Sequence, residues 1–478
     1  MTYTRYYNLF NLSIQDLNTI IYTALEDGGD YADIFCEYST SNNLNLTDHK
    51  VNSLNTDIDF GVGIRVLAGE NTGYAFSEST DMKDLINAAK MAAKIATIRS
   101  YKTPLSIPPT SYPKILDLYP QQQLWEDLSF VKRKNLLVAL DQLINESDQR
   151  VTKVMASISD SNTKVMFYNS LGEHYCDERP LFSLRSSCVM EEGSKRETYG
   201  VSKSFRSGAE LIIDNAGQAL IKEIATEIIQ GASTLFKATQ PKGGQMQVVM
   251  GSGSSGILLH EAIGHTFEAD FCKKRTSIFS DMMGKKICNE KINIVDDGTL
   301  RNNRGAINID DEGVPSQCTY MVKDGILNSF LHDRLSAKHF NTQSTGNGRR
   351  ESFRFNPIPR MRATYMESGD CLEADLIAEV KSGIYVDNFS NGQVQIGAGD
   401  FTFFVRSGYL IENGKLTQPI KDTNIIGNGP EALADILAVA NNNKVDNSTW
   451  TCGKEQYCAV SCGMPSVLIK SLNVGGVE

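Results

Sequence analysis

Apolar residues recur at helical spacing from Ile14 to Leu25, directly after Ser13, whose hydroxyl can cap the first turn. From Tyr31 to Ser77 the pattern changes to alternation interrupted by turn residues, which predicts strands following a helix. Amphipathic periodicity returns over Met82–Thr97 and Leu128–Ile144, and alternation resumes from Val151 to Phe205 around the hairpin signal Ser170, Leu171 and Gly172. A further helix is predicted over Glu210–Ile229. Next, Lys237 to Gly244 breaks both periods with a proline and two glycines in a polar stretch, and the domain boundary is expected there.

The second half carries one short helical segment and then many tight-turn dipeptides: Asp297-Gly298, Asp324-Gly325, Asn391-Gly392, Asn413-Gly414 and Asn428-Gly429. Such pairs supply the positive φ angles that hairpins require. Helices separated by runs of strands predict an α+β fold of two domains. The expected division is an N-terminal domain of antiparallel strands with packed helices over residues 1–236 and a β-rich, barrel-like domain over residues 245–478.

A chain of 478 residues exceeds the size at which one core stops growing, which agrees with two domains. Its 47 basic against 57 acidic side chains leave a formal charge of −10, a surface that duplex DNA would repel. Lys273-Lys274-Arg275 and Arg349-Arg350 are too short to form a phosphate track, so no nucleic-acid partner is expected. Neither a charged leader running into an apolar stretch nor an apolar run of membrane-spanning length is visible, and the expected location is the cytoplasm, with no membrane partner. Ten cysteines are scattered from Cys36 to Cys462 without a disulfide framework and read as buried thiols or metal ligands.

The informative stretch runs from Gln247 to His265. Gly251, Gly253 and Gly256 match a dinucleotide-binding pattern, yet the segment after them, Asp270 to Arg275, is polar where a second strand ending in an acid would be needed. The glycines are better read as letting the backbone pass close to the helix that follows or to substrate. His260, Glu261 and His265 then resemble the zincin pattern, with three residues rather than two between Glu261 and the second histidine. Residues five apart on a regular helix are separated by about 140° after one full turn, so the imidazoles would not converge. A helix irregularity, such as a π-type turn, or an early helix end is therefore predicted at Gly264. Two of only six histidines bracketing a glutamate point to a metal site, and a catalytic zinc of this kind needs one more protein ligand.

The His260 to His265 segment is followed by Phe267 to Phe271, Val295 to Thr299, Ile309 to Gly313, Thr345 to Ser352 and Cys452 to Glu455. In that order these blocks resemble the TldD branch of the TldD/PmbA metallopeptidase family, formerly described as modulators of DNA gyrase. Gly61 to Arg65 and Gly73 to Ala75 extend the resemblance more loosely into the first half. It implies one Zn2+ per chain held by His260, His265 and Cys452, with Glu261 as catalytic base. It also implies a dimer, formed with a PmbA-like (TldE-like) partner or a second copy. Cys458 and Cys462 stand close enough in sequence to compete with Cys452 as ligand.

Zinc lowers the pKa of water from 15.7 towards roughly 7, and Glu261 could accept the proton as that water attacks a peptide carbonyl. The expected substrate is an extended, unstructured peptide. The competing reading is a non-catalytic peptide-binding or scaffold subunit with a structural zinc closed by a fourth ligand. His332, Arg349 and Arg350 could stabilise an oxyanion but have equally good structural roles. Asp296-Asp297 and Asp310-Asp311-Glu312 lack the alternate-position pattern of a calcium loop and read as turns.

Overall fold

A computed structural model describes residues 3–96, 107–395 and 397–476. The first domain is a six-stranded antiparallel sheet built from β1 (Tyr31–Thr47), β2 (Lys50–Ala68), β3 (Asn71–Ser77), β4 (Val151–Asn169), β5 (His174–Glu192) and β6 (Lys195–Phe205). Their order is β3-β2-β1-β4-β5-β6. Strands of this length twist strongly, and the sheet curls into a half-barrel.

Its concave and convex faces are read directly from β1. Ala32, Ile34 and Cys36 pack under the helices Ile14–Leu25 and Met82–Ala96. Leu44 and Leu46, further along the same face, pack under Phe130–Ser147 and Asp214–Leu235. Asp33, Phe35 and Glu37 point the other way, into the second domain, so Tyr31–Glu37 is buried continuously rather than alternately.

The predicted first helix has the expected bounds because Ser13 and Asp16 cap it reciprocally. The second ends at Ala96, and Thr97, expected to close it, lies outside the described residues, as do residues 1–2 and 477–478 of the expected domain spans. The helix expected over Glu210–Ile229 is split: Ala209–Ile212 is a single tight turn, and Asp214, at φ 50°, redirects the chain into Asp214–Leu235.

In the second domain Gly244–Met250 runs parallel to Ser382–Val394 and antiparallel to Val467–Val474. Val467–Val474 pairs with Thr423–Asn428, that strand with Asp400–Glu412, and Asp400–Glu412 with Ser382–Val394, which closes a five-stranded ring. A second sheet stands beside it, ordered Ile326–Leu327, Cys318–Lys323, Ile294–Asp297, Ala363–Met366, Ser461–Met464 and Lys444–Asp446. Between the two lies the helix Gly256–Ala262, whose Leu258 and Leu259 share one core with Val248 and Phe401 of the ring and with Ile294 and Cys462 of the sheet.

Two of the turn dipeptides do what their chemistry predicts: Asp324-Gly325 and Asn413-Gly414 reach positive φ in hairpin loops. Two do not. Asn391-Gly392 lies inside Ser382–Val394, where the bare α-carbon of Gly392 lets the Phe403 ring close over it. Asn428 instead caps the helix Gly429–Ala434, its side chain accepting from the Glu431 amide.

The domains meet through buried charge. Arg65 is paired with Asp33 in its own sheet and with Glu312 across the seam at 2.5 Å, and Arg179 reaches Asp311 at 2.6 Å. The Phe353 amide donates to Glu37 at 2.6 Å. No described helix is long and apolar enough to cross a membrane.

Candidate metal centre

The strand Gly244–Met250 turns through Gly251–Ser255 into the helix Gly256–Ala262. Gly256 lies against the backbone of Gly463 and Gly251 against the Tyr385 ring, so a side chain at either position would collide with its neighbour. Gly253 sits at φ 86°. Beyond the histidines, Ala269–Lys273 is helical, not the strand a dinucleotide unit would need.

The helix stops at Ala262, where Ile263 departs to φ −128° and ψ −49°, and Gly264–Phe267 continues as one 3-10 turn. This break swings His265 back over His260 until their ring centroids are 5.2 Å apart. The irregularity expected at Gly264 is thus present, but as a helix end with a tightened turn rather than a π-type turn. Gly264 is required for space: the sulfur of Met361 occupies the position of its missing side chain.

Cys452 comes from a two-stranded hairpin, Thr451–Gly453 paired with Tyr457–Ala459. One donor atom from each of His260, His265 and Cys452 lies within 4.8 Å of the others, and all three side chains are buried. Ligands at zinc–nitrogen and zinc–sulfur bond lengths around one tetrahedral ion stand about 3.5 Å apart, so the cluster needs only a small contraction. Cys452 Sγ is already 3.2 Å from His265 Nε2. Burial alone would raise the Cys452 thiol, but His260 and His265 beside it bring it down to about 5, the thiolate form that metals take. Both ring nitrogens of His260 are buried without a hydrogen-bond partner. An imidazole so placed costs the desolvation of its polar atoms unless something binds them, and a metal ion would satisfy one of the two nitrogens.

Around the cluster is a layer to which reading the sequence assigned no role, although Glu268, Asp270 and Lys454 lie in blocks that carried the resemblance. Glu268, wholly buried, accepts from His265 Nδ1 at 2.8 Å and from the Met361 amide at 3.3 Å, and pairs with Lys454 Nζ at 3.1 Å. Burial opposes its ionisation, yet Lys454 and His265 hold the carboxyl far below the usual range. Lys454 also binds Asp270 at 2.7 Å. Arg360 donates to the carbonyls of Cys452 and Gln456, each at 2.6 Å, and so fixes the hairpin. The spacing of three residues from His265 to Glu268 was a further local signal for the carboxylate.

Glu261, about a third exposed, places a carboxylate oxygen 3.8 Å from His265 Nε2. Cys458 is the cross-strand neighbour of Cys452 but takes Arg360 Nη1 at 3.7 Å, while Cys462 packs into the core of the second sheet. Burial raises both thiols. Arg349 is spent on the carbonyls of Met361 and Ala459, Arg350 donates to that of Asp311, and His332 lies between the rings of Phe330 and Phe340. Asp296 accepts from the Arg362 amide, Thr364 and Asn347. Asp310 accepts from the amides of Glu312, Val314 and Gly348, so these acids organise turns and strand ends.

Comparison with known proteins gives three family matches, described as PmbA/TldA metallopeptidase domain 1 (residues 32–96), central domain (124–235) and C-terminal domain (243–476). The metalloprotease TldD homolog of Haemophilus influenzae is 37% identical over 98% of this chain and 97% of its own length. Among solved structures, a Thermotoga maritima protein described as a candidate modulator of a DNA gyrase matches with TM-score 0.77 at 18% identity, over 97% of this chain and 100% of that one. TldE from Thermococcus kodakarensis matches with TM-score 0.74 at 20% identity, over 96% and 100%.

Proposed function

The chain belongs to the TldD/PmbA metallopeptidase family, and from that premise we propose that it is a zinc-dependent peptidase in which His260, His265 and Cys452 hold one Zn2+ and Glu261 is the general base. The observation that carries this reading is the buried convergence of three donors around a histidine with no other partner. Bound there, Zn2+ supplies Lewis acidity that polarises a peptide carbonyl and brings a water's pKa towards roughly 7.

Glu261 takes the proton of the attacking water and hands it on to the leaving amine. Its partial exposure lets water and substrate reach it, whereas Glu268 is sealed in and acts by fixing the tautomer and direction of His265. The thiol of Cys458, engaged by Arg360, supports an open fourth position rather than a structural site closed by a fourth ligand.

The substrate is an extended, unfolded peptide, which adds as a strand to an exposed edge of the second domain. Lys444–Asp446 is the outer strand of the sheet behind the metal helix, and it borders a cavity of about 1060 Å³ that also reaches Trp450 and Ser254. A bound peptide held by side chains alone, without a main-chain ladder, would overturn strand addition. The working assembly is a dimer, with a TldE-like chain of the same fold or with a second copy, located in the cytoplasm. Its two domains are residues 1–236 and 245–478.

The deciding experiment measures zinc content and cleavage of an unfolded protein for the wild type and Glu261→Gln, with and without a TldE-like partner. Stoichiometric zinc in both, with cleavage only in the wild type, is the expected result. Zinc without cleavage by any combination would establish a scaffold instead.

A further inference from the structure

Behind the hairpin that carries Cys452, at the seam between the domains, is a cavity of about 150 Å³ lined among others by Arg179, Arg206, Arg349, Arg350, Glu37 and Cys458. Its cations are unequally matched. Arg179 is neutralised by Asp177 at 2.9 Å and Asp311 at 2.6 Å, and Arg350 stands 3.5 Å from Asp33. Arg206 and Arg349 are buried yet bonded only to main-chain carbonyls: Arg304 and Pro180 for the first, Met361 and Ala459 for the second. Arg304, packed behind them, binds the Trp450 carbonyl and the hydroxyls of Ser183, Ser204 and Thr451. Among the described residues no carboxylate forms an ion pair with any of these three.

Burial and mutual repulsion show in their acidity: Arg206 is brought down to about 10 and Arg304 to about 9. Donors also remain free. Arg350 Nε is buried without a partner, and Arg206 uses Nε and Nη1 but not Nη2. The acids facing the cavity are already engaged. Asp311 accepts from Arg179 and the Arg350 amide, Glu351 from the Tyr457 amide, and Glu37 from the Phe353 amide. Burial also pushes Glu37 up to about 7, so it is a poor counter-ion near neutral pH.

Two buried guanidinium groups without counter-charge, Arg206 and Arg349, beside a cavity too small for a nucleotide, match the compact oxyanions that arginine binds well. We propose that this seam cavity is a binding site for a compact oxyanion, a carboxylate or phosphate group presented by Arg206, Arg349 and Arg350. The inference does not rest on peptide hydrolysis. A free small anion and the terminal carboxylate of a peptide share the required chemistry.

The test is thermal unfolding at constant ionic strength, replacing chloride by acetate or inorganic phosphate, with isothermal titration of the wild type alongside. A saturable rise in Tm is expected, with half-saturation moved at least about tenfold higher in Arg206→Gln and in Arg349→Gln. The rise should persist after EDTA treatment, which separates this site from the metal centre. Trialanine with a free carboxyl saturating well below acetate, while its amide does nothing, would assign the site to a peptide terminus. Equal response to acetate and trialanine would assign it to a free anion. A response that is linear and unsaturable in the wild type, that vanishes with EDTA, or that is unchanged in both variants would overturn the proposal. If neither variant folds, the wild-type titration decides alone.

Discussion

His265 Nδ1 and Glu268 Oε2 stand 2.8 Å apart across a single 3-10 turn, which leaves Nε2 of the same ring facing Cys452. The carboxylate cannot drift, being held by Lys454 and the Met361 amide. Glu268→Gln should therefore keep the fold but weaken zinc binding about 10- to 100-fold, read by competition with a chromophoric chelator. Undiminished affinity would remove Glu268 from any role in orienting the ring.

Glu261 is the acid beside the proposed ligands with access to solvent. Glu261→Gln is expected to retain stoichiometric zinc and lose about 10²- to 10⁴-fold in kcat. Comparable loss of zinc and of turnover would instead make Glu261 part of the metal's own support.

The two thiols of the hairpin are separable. Cys452→Ser should abolish stoichiometric zinc at neutral pH, whereas Cys458→Ser, whose sulfur faces Arg360, should retain it. Metal analysis of the purified variants decides, and zinc lost only on changing Cys458 would exchange their assignments.

Glu37 gives a pH dependence of defined sign. Burial, reinforced by Asp311 and Asp59, raises its folded-state pKa from 4.5 to about 7. The folded chain then binds the proton more tightly than the unfolded one. The resulting stability is fully present below pH 4.5 and is lost as pH rises through 7, up to roughly 3 kcal/mol. Glu37→Gln keeps an oxygen for the Phe353 amide and should flatten denaturant stability between pH 5 and 8. A variant whose profile still falls across that window would show the slope to originate elsewhere.

Gly256 touches the backbone of Gly463, which cannot swing aside as a side chain would. Gly256→Ala should cost about 1–3 kcal/mol, measured by urea unfolding, and should lower zinc retention because the helix start moves. A neutral substitution would mean that the helix has slack against the second sheet.

What was legible in the sequence was local. His260, Glu261 and His265 lie within one helical turn and its break, and the spacing alone required that break. Cys452 lies 187 residues further on, so its place rested on resemblance and not on periodicity. Lys454 fell within the Cys452 to Glu455 block that carried the resemblance but had no role assigned, and Arg360 could not be singled out at all, since both roles depend on where the chain at Pro359–Met361 passes the metal helix. The same boundary applies to the fold. Ser13 and the hairpin at Asn413-Gly414 act through neighbours a few residues away, whereas Gly392 answers to Phe403 and β1 is buried on its second face by another domain.

In the five-stranded ring, Gly244–Met250 lies beside Val467–Val474. During synthesis the strand that leads into the metal helix emerges long before the neighbour that completes its pairing, and Cys452 follows nearly as late. Until both have been made, the helix lacks its proposed third donor or the closed ring beneath it. A ribosome-bound fragment ending before Cys452 therefore has the histidines but not the hairpin thiol proposed to complete their centre.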